Sequence, residues 1–258
     1  MTTGLFRVGL VAGLGIATTI VLALLVSQTV YVDVHSAMSA LSSPSVGSAI
    51  ALSLLTATVA ATLALVVGVP AAYLLARHQF FGKSLVDAIL DVPVIMSPVA
   101  LGLALLLVFR TTPGAFIETH VLRFVFEVPG IVLAQFILAL ALEVRMLKAT
   151  FEEISPRLEQ VARCMGCTEG RAFLHVTLPM ARPGLIAAAV LGWARAIGDF
   201  GATVMIAGAV PGKTETVPVA IYLGLASLRI EHSVMLTLLL TVVALSSLLV
   251  LRWIGARR

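Results

Sequence analysis

The sequence predicts an all-helical integral membrane domain, and three observations predict it. Of the 258 residues, 60% are hydrophobic and only 12% are charged. Mean hydropathy is +1.09. The apolar residues gather into six long stretches. A soluble domain carries about 25% charged residues, so half that charge cannot coat a water-facing surface of this size. The composition excludes a disordered chain and an ordinary soluble enzyme. A formal charge of +4 with 6% aromatic residues is also too weak a basis for nucleic-acid binding. In lipid every backbone polar group must pair within the protein, and this composition achieves that only with helices.

About 20 consecutive apolar residues cross the hydrocarbon core as a helix. The first stretch covers 8–30 and is charge-free from Val8 to Val32. It is too long for the apolar part of a signal peptide, and Ser27-Gln28-Thr29 is a poor cleavage site, so we read it as a helix. The second, 48–76, has no charge. The third, 86–109, has Asp87 and Asp91 at its start and contains Pro93 and Pro98. The fourth, 129–149, ends in Glu143, Arg145 and Lys148. The fifth, 184–208, encloses Arg195 and Asp199, and the sixth covers 232–253.

Orientation follows from Lys and Arg near the span ends. With the N-terminus inside, the inner side holds Arg7, Arg77, Lys83, Arg145, Lys148, Arg157, Arg163, Arg171, Arg182, Arg252, Arg257 and Arg258. The outer side holds Arg110, Arg123, Lys213 and Arg229. This three-to-one bias predicts both termini in the cytoplasm. No internal repeat interrupts the chain, which reads as one transmembrane domain over 1–258 with a polar inner loop at 151–183.

That loop has its own pattern. Ser155 suits an N-cap and Pro156 the first helical position. Leu158, Val161, Ala162 and Met165 share one helix face. Gly166 is placed to end the helix in a left-handed conformation. Thr168 is placed to cap a second helix bearing Phe173 and Val176, with Pro179 as its stop. The pattern fits either a loop folded on the membrane surface or a helix inserted into a partner's groove.

Glu159, Ala162, Gly166 and the terminal Leu178-Pro179 resemble the EAA loop of ABC-transporter permease subunits, although Gln160 and Val161 break the family's Glu-Ala-Ala triplet. The resemblance implies the type I importer permease fold, and a loop that docks into a cytoplasmic ATPase subunit through Glu159, Ala162, Met165, Gly166, Phe173, Leu178 and Pro179. A second stretch is similar to the molybdate-permease branch of that family. It runs Ala194-Arg-Ala-Ile-Gly-Asp-Phe-Gly-Ala-Thr203 and continues through Pro211-Gly-Lys-Thr to Val217-Pro-Val-Ala-Ile-Tyr222. Asp199 stands where the branch usually has Glu. Asp91-Val-Pro-Val also resembles oxyanion permeases. The resemblance implies a multi-pass subunit in the inner membrane of a prokaryote, assembled as a homodimer with two ATPase subunits and an extracytoplasmic oxyanion-binding protein. The partner ATPase would hold ATP and Mg, with no cofactor in this chain. The implied cargo is molybdate, with tungstate as a second anion; sulfate or thiosulfate is the alternative.

Arg195 and Asp199 are four residues apart and share a helix face. An unpaired charge in a membrane costs several kcal/mol or so, which predicts that the two pair and face an interior. Either the pair holds helices together, or with Thr203 it lines the permeation path; we expect the former. Gly198 and Gly201 permit close helix approach. At Ser97-Pro98 we expect a proline kink in one continuous helix. The alternative is that Ser97 caps a half-helix whose N-terminus favours an anion near the midplane.

Other motifs fail. Gly208-Ala-Val-Pro-Gly-Lys-Thr214 is one residue short of a phosphate loop, with Ala207 at the needed position. Cys164-Met-Gly-Cys167 has no second CxxC to complete a metal site, and the five histidines are scattered. No catalytic or metal-ligating constellation is expected, which weighs against an intramembrane enzyme. The inner loop weighs against a passive channel.

Overall fold

The computed structural model describes residues 2–30 and 44–255. Only helices occur among them. In chain order these are α1 (Thr2–Val30), α2 (Pro44–Arg77), α3 (Lys83–Ile95), α4 (Pro98–Arg110), α5 (Thr112–His120), α6 (Val128–Glu153), α7 (Pro156–Cys164) and α8 (Glu169–Ala172). A π-turn (Phe173–Thr177) leads into α9 (Leu178–Met180), α10 (Arg182–Ile197), α11 (Gly201–Ala207), α12 (Val217–Ala226) and α13 (Ile230–Gly255).

Within the described residues, four helices are long and apolar enough to cross a membrane: Arg7–Gln28, Ser45–Arg77, Val128–Glu153 and Ile230–Leu249. Two bent pairs bring the number to as many as six. Two expected spans need correction, one at the first bent pair and one at a separate break after α10. The third is no kinked continuous helix: α3 and α4 meet at an angle of 116°. Met96 and Ser97 are extended at the break, and the Ser97 hydroxyl accepts the Ala100 N–H at 3.2 Å. Proline disfavours helical backbone at the residue before it, and a serine there satisfies a free N–H of the next helix. The combination ends one helix and starts another, which is the half-helix alternative. The fifth span, expected as continuous over 184–208, breaks at Gly198–Phe200 between α10 and α11. Gly198, Asp199 and Phe200 leave the helical path there, and Asp199 supplies the acceptor for the following turn.

Burial divides the helices. The centre is α2 packed on α6, with α10 against both. Ala72, Leu75, Val144, Leu147, Phe151 and Ala188 form one core cluster there, and Ala57, Ala64, Ala139 and Ala196 a second. Small residues let these backbones approach closely, as lipid-embedded helices require. α4, α6 and α11 enclose Leu101, Leu105, Ile131, Leu138, Ala202 and Ile206. At the other end, Ser53 of α2 accepts the Val217 N–H at 2.8 Å and so caps α12. α1 stands apart: it meets α13, where Thr241 donates to Gln28 at 3.0 Å, and leaves Val8, Val11, Leu14 and Leu24 exposed. Faces of this composition suit hydrocarbon rather than water.

The Gly208–Thr214 segment is a closed turn. The Val210 N–H donates to Thr214 Oγ1, and the Thr214 N–H returns to the Val210 carbonyl. Gly208 and Gly212 both have φ of +73°, which favours glycine.

Candidate functional site

Two regions gather the residues singled out by sequence: the arm at 151–183 and the two broken helices.

The arm leaves the bundle at Ile154 and returns at Arg182. Pro156 opens α7 as expected, but the Ser155 side chain makes no cap bond. Gly166 ends the helix with φ of +93°, and Thr168 Oγ1 accepts the Arg171 N–H to start α8. Pro179 does not stop the second helix. The path continues through the π-turn, closed by the Leu178 N–H on the Phe173 carbonyl, to Met180. Pro179 lies near the end of this path, which stops one residue later at Met180. The chain then turns through 72° into α10.

The orientation of α7 is the informative point. Its apolar stripe faces away from the protein: Leu158 is 40% exposed, Val161 58% and Met165 82%. Its buried residue is the acid, Glu159. Tyr73 Oη donates to Glu159 Oε2 at 2.7 Å, and Arg77 Nε and Thr177 Oγ1 donate to Oε1 at 2.9 and 2.7 Å. Arg77 Nη2 also donates to the Ile154 carbonyl at 2.8 Å. Burial pushes the Glu159 carboxyl up. The hydrogen bonds from Thr177, Tyr73 and Arg77, with the Arg77 charge, outweigh that and hold it below the usual carboxylate range. The sequence reading used Arg77 only as an inner-side charge and did not mark Tyr73 or Thr177. The available signal was Arg77 closing a charge-free run, with an acid lying off the stripe of α7. Phe173 packs on the Tyr73 ring at 4.5 Å between centroids, Ala172 is the buried residue of α8, and Gly166 has open space around its Cα. Ala162, Leu178 and Pro179 are partly buried. Cys164 and Cys167 are free thiols.

The broken helices meet across a glycine seam. A Cβ on Gly201 would lie 2.9 Å from Pro98 Cβ and 3.0 Å from the Val99 nitrogen. One on Gly102 would lie 2.6 Å from Met205 Cβ and 2.8 Å from the Ala202 carbonyl oxygen. Glycine at both positions brings the start of α4 against the start of α11. The expected close approach at Gly198 is absent, its nearest neighbour being the Ala194 carbonyl at 3.4 Å. Asp199 is buried beside this seam. Its Oδ2 accepts both the N–H and the hydroxyl of Thr203 at 2.9 Å. Its Oδ1 lies 3.8 Å from Arg195 Nη1 and has no hydrogen-bond partner. Arg195 is one-third exposed while Asp199 is enclosed, so the pair joins the interior to an open face.

Two further polar groups were not among the site residues expected from sequence, although Glu143 was noted as a charge near the end of the fourth stretch. Glu143 of α6 is fully buried against Gly192 of α10, with no hydrogen-bond partner at either oxygen. Gln135, two turns earlier on α6, is also buried and unpartnered. Between α3 and α6 a cavity of about 280 Å³ is lined by Asp87, Asp91, Arg145, Lys148 and Glu152, with Lys148 Nζ 2.5 Å from Asp87. Among the described residues no group of three His, Cys, Asp or Glu side chains is placed to hold a metal ion.

Residues 64–258 match the family model described as "Binding-protein-dependent transport system inner membrane component". This chain belongs to that family. The permease protein ModB of the Haemophilus influenzae molybdenum transport system is 35% identical over 216 residues, covering 81% of this chain and 93% of that protein. The permease protein WtpB of the Thermococcus kodakarensis molybdate/tungstate transport system is 34% identical over 226 residues, covering 88% of this chain and 85% of that one. Among solved structures, a chain of the bacterial alginate ABC transporter in complex with a pentasaccharide-bound periplasmic protein superposes with a TM-score of 0.70. It covers 88% of this chain and 84% of its own length at 19% identity, which establishes the shared fold alone. The all-helical membrane architecture expected from sequence is thus that of this transport family, and its helix breaks occur within the matched region.

Proposed function

We propose that this chain is the membrane-spanning subunit of an ATP-driven ABC importer that carries molybdate, and tungstate as a second cargo, into the cytoplasm of a prokaryote. The observation that carries the reading is the 35% identity to a molybdenum permease over 93% of that protein's length. The stretch from Ala194 to Tyr222, similar to the molybdate branch, supports the same reading. The whole chain acts as one permease domain with both termini in the cytoplasm, in keeping with its distribution of Lys and Arg.

The arm at 151–183 is the coupling element. Leu158, Val161 and Met165 form its docking stripe for a cytoplasmic ATPase subunit; full burial of such a side chain is worth roughly 1.5–3 kcal/mol, of which docking adds the share still exposed. Gly166 and Ala162 keep the approach open, while Glu159, Phe173, Leu178 and Pro179 hold the arm's shape. Two copies of the chain enclose one pathway, two ATPase subunits grip the two arms, and an extracytoplasmic oxyanion-binding protein delivers the anion. ATP and Mg reside on the ATPase. The residues we assign to the path are Ser97 and Pro98 at the start of α4, and Arg195, Asp199 and Thr203 around the second break. An arginine offers fixed donors to a tetrahedral oxyanion, and paired Asp199 limits how long the anion stays. ATP-driven closure of the ATPases moves the arms and switches which side of the pathway is open.

The test is reconstitution in vesicles with the cognate ATPase and binding protein, measuring anion-stimulated hydrolysis and uptake. Molybdate and tungstate are expected to stimulate both. Stimulation by sulfate alone would transfer the assignment to a sulfate permease, and uphill uptake by the isolated chain would overturn the reading altogether.

A further inference from the structure

Covalently, the arm is tied to the bundle only through α6 and α10. A third connection is not covalent, and it runs to α2. The end of α2 grips both limbs of the arm. Arg77 and Tyr73 hold Glu159 on the first limb, and Arg77 also holds Ile154, where the arm begins. On the second limb, His78 Nε2 lies 3.1 Å from Glu169 Oε1, and the Tyr73 ring packs on Phe173. Thr177 closes the set by donating to the same Glu159 oxygen as Arg77. The Arg77 and Glu159 side chains are about nine-tenths buried. A buried, multiply bonded ion pair fixes geometry, because a single lost partner strands the other charge.

The opposite end of α2 is also engaged. Ser53 caps α12 through the Val217 N–H, and Ala49 and Val46 pack with Val217, Ala220 and Leu236. α2 is a 34-residue helix with Pro70 inside it, about 50 Å along its path. It therefore touches the arm at one end and the turn before α12 at the other. The π-turn lies beside the grip, and π-turns inside helices often mark functional sites.

We propose that α2 is the strut that carries the arm's displacement across the membrane, and that Arg77 and Tyr73 are the positioning residues that fasten the arm to it. The proposal rests on the arm being the ATPase-docking element. Arg77 and Tyr73 would touch neither nucleotide nor anion. Their contribution is to make α2 move with α7, so that a push on the exposed stripe reaches the Ser53–Val217 contact instead of dissipating in the π-turn.

Spatial connection alone does not demonstrate coupling, so the test reads coupling directly. Arg77→Gln, Arg77→Lys and Tyr73→Phe are compared with the unsubstituted chain in vesicles containing the ATPase and binding protein. Two quantities are measured: ATPase retained on purification, and molybdate taken up per ATP hydrolysed. Arg77→Gln removes the charge that pairs Glu159 and the bond to the Ile154 carbonyl, so it is expected to retain the ATPase while uptake per ATP falls by about tenfold or more. Arg77→Lys should recover part of that loss. Tyr73→Phe, which keeps the ring and its packing, should show a smaller fall in the same ratio. Unchanged uptake per ATP in both Arg77→Gln and Tyr73→Phe would overturn the strut. Loss of the ATPase from Tyr73→Phe would overturn it too, by making the grip a support for docking and not a transmitter. Failure of the underlying reading is separate: the unsubstituted chain would then neither retain an ATPase nor take up the anion.

Discussion

Substituting Gly102 with alanine tests the α4–α11 seam on which the arrangement of the broken helices depends. The added Cβ would sit 2.6 Å from Met205 Cβ, 2.8 Å from the Ala202 oxygen and 3.0 Å from Ala202 Cα. Carbon atoms in comfortable contact lie about 3.5–4.0 Å apart, so α4 must withdraw by roughly 1 Å. Two of the three obstructing atoms are backbone, and Leu101 and Leu105 of the same helix are already packed against Ala202 and Ile206. Side-chain rotation cannot relieve the clash. Overpacking of this kind costs about 1–3 kcal/mol. For a chain of this size that lowers the thermal midpoint by roughly 2–12 °C. The control is Gly47→Ala in α2, where nothing lies within 4 Å of the added carbon. There alanine should gain up to about 1 kcal/mol from helix propensity. The assay is thermal unfolding of both variants purified in detergent. Equal midpoints for Gly102→Ala and Gly47→Ala would refute the seam.

Two other predictions follow from single side chains. Removing the Ser97 hydroxyl with Ser97→Ala should cost about 0.5–2 kcal/mol by freeing the Ala100 N–H, and Ser97→Thr should restore most of it; identical midpoints for all three would show that the break before α4 does not depend on its cap. Glu159 has a folded-state pKa below its ordinary value of 4.5, so the unfolded chain binds its proton more readily. Its contribution is therefore fully present at neutral pH and is lost as pH falls from about 4.5 through the folded value. The gap in thermal midpoint between the unsubstituted chain and Glu159→Gln should be widest at neutral pH and close in acid, and a gap independent of pH would contradict the buried network.

The helix breaks show how far a one-dimensional pattern reaches. The apolar stretch at 86–109 carried its own punctuation, Ser97-Pro98, and both outcomes there were visible. Local chemistry permits a kink or a stop. In the structure the stop prevails, with α4 packed by Gly102 against α11 and α3 leaving at 116°. The second break was less visible. Gly198, Asp199 and Gly201 sit inside an apolar run, and a four-residue spacing between Arg195 and Asp199 reads as one helix face. Asp199 faces Arg195 through Oδ1 and also caps Thr203 through Oδ2, and the linear pattern shows only the first of these.

Composition and periodicity alone determined that this chain lies in a membrane as helices, where its long spans run, and that a polar arm with an apolar stripe interrupts them. Those properties are sums over neighbouring residues, and neighbouring residues carry them. The tertiary structure decided which way α7 faces, because Glu159 is committed by Tyr73, Arg77 and Thr177, two of which lie more than 80 positions away. It decided equally that Glu143 rests against Gly192 and that Ser53 caps α12. A contact between distant segments has no signature in either segment alone; it exists only once packing has brought the two together.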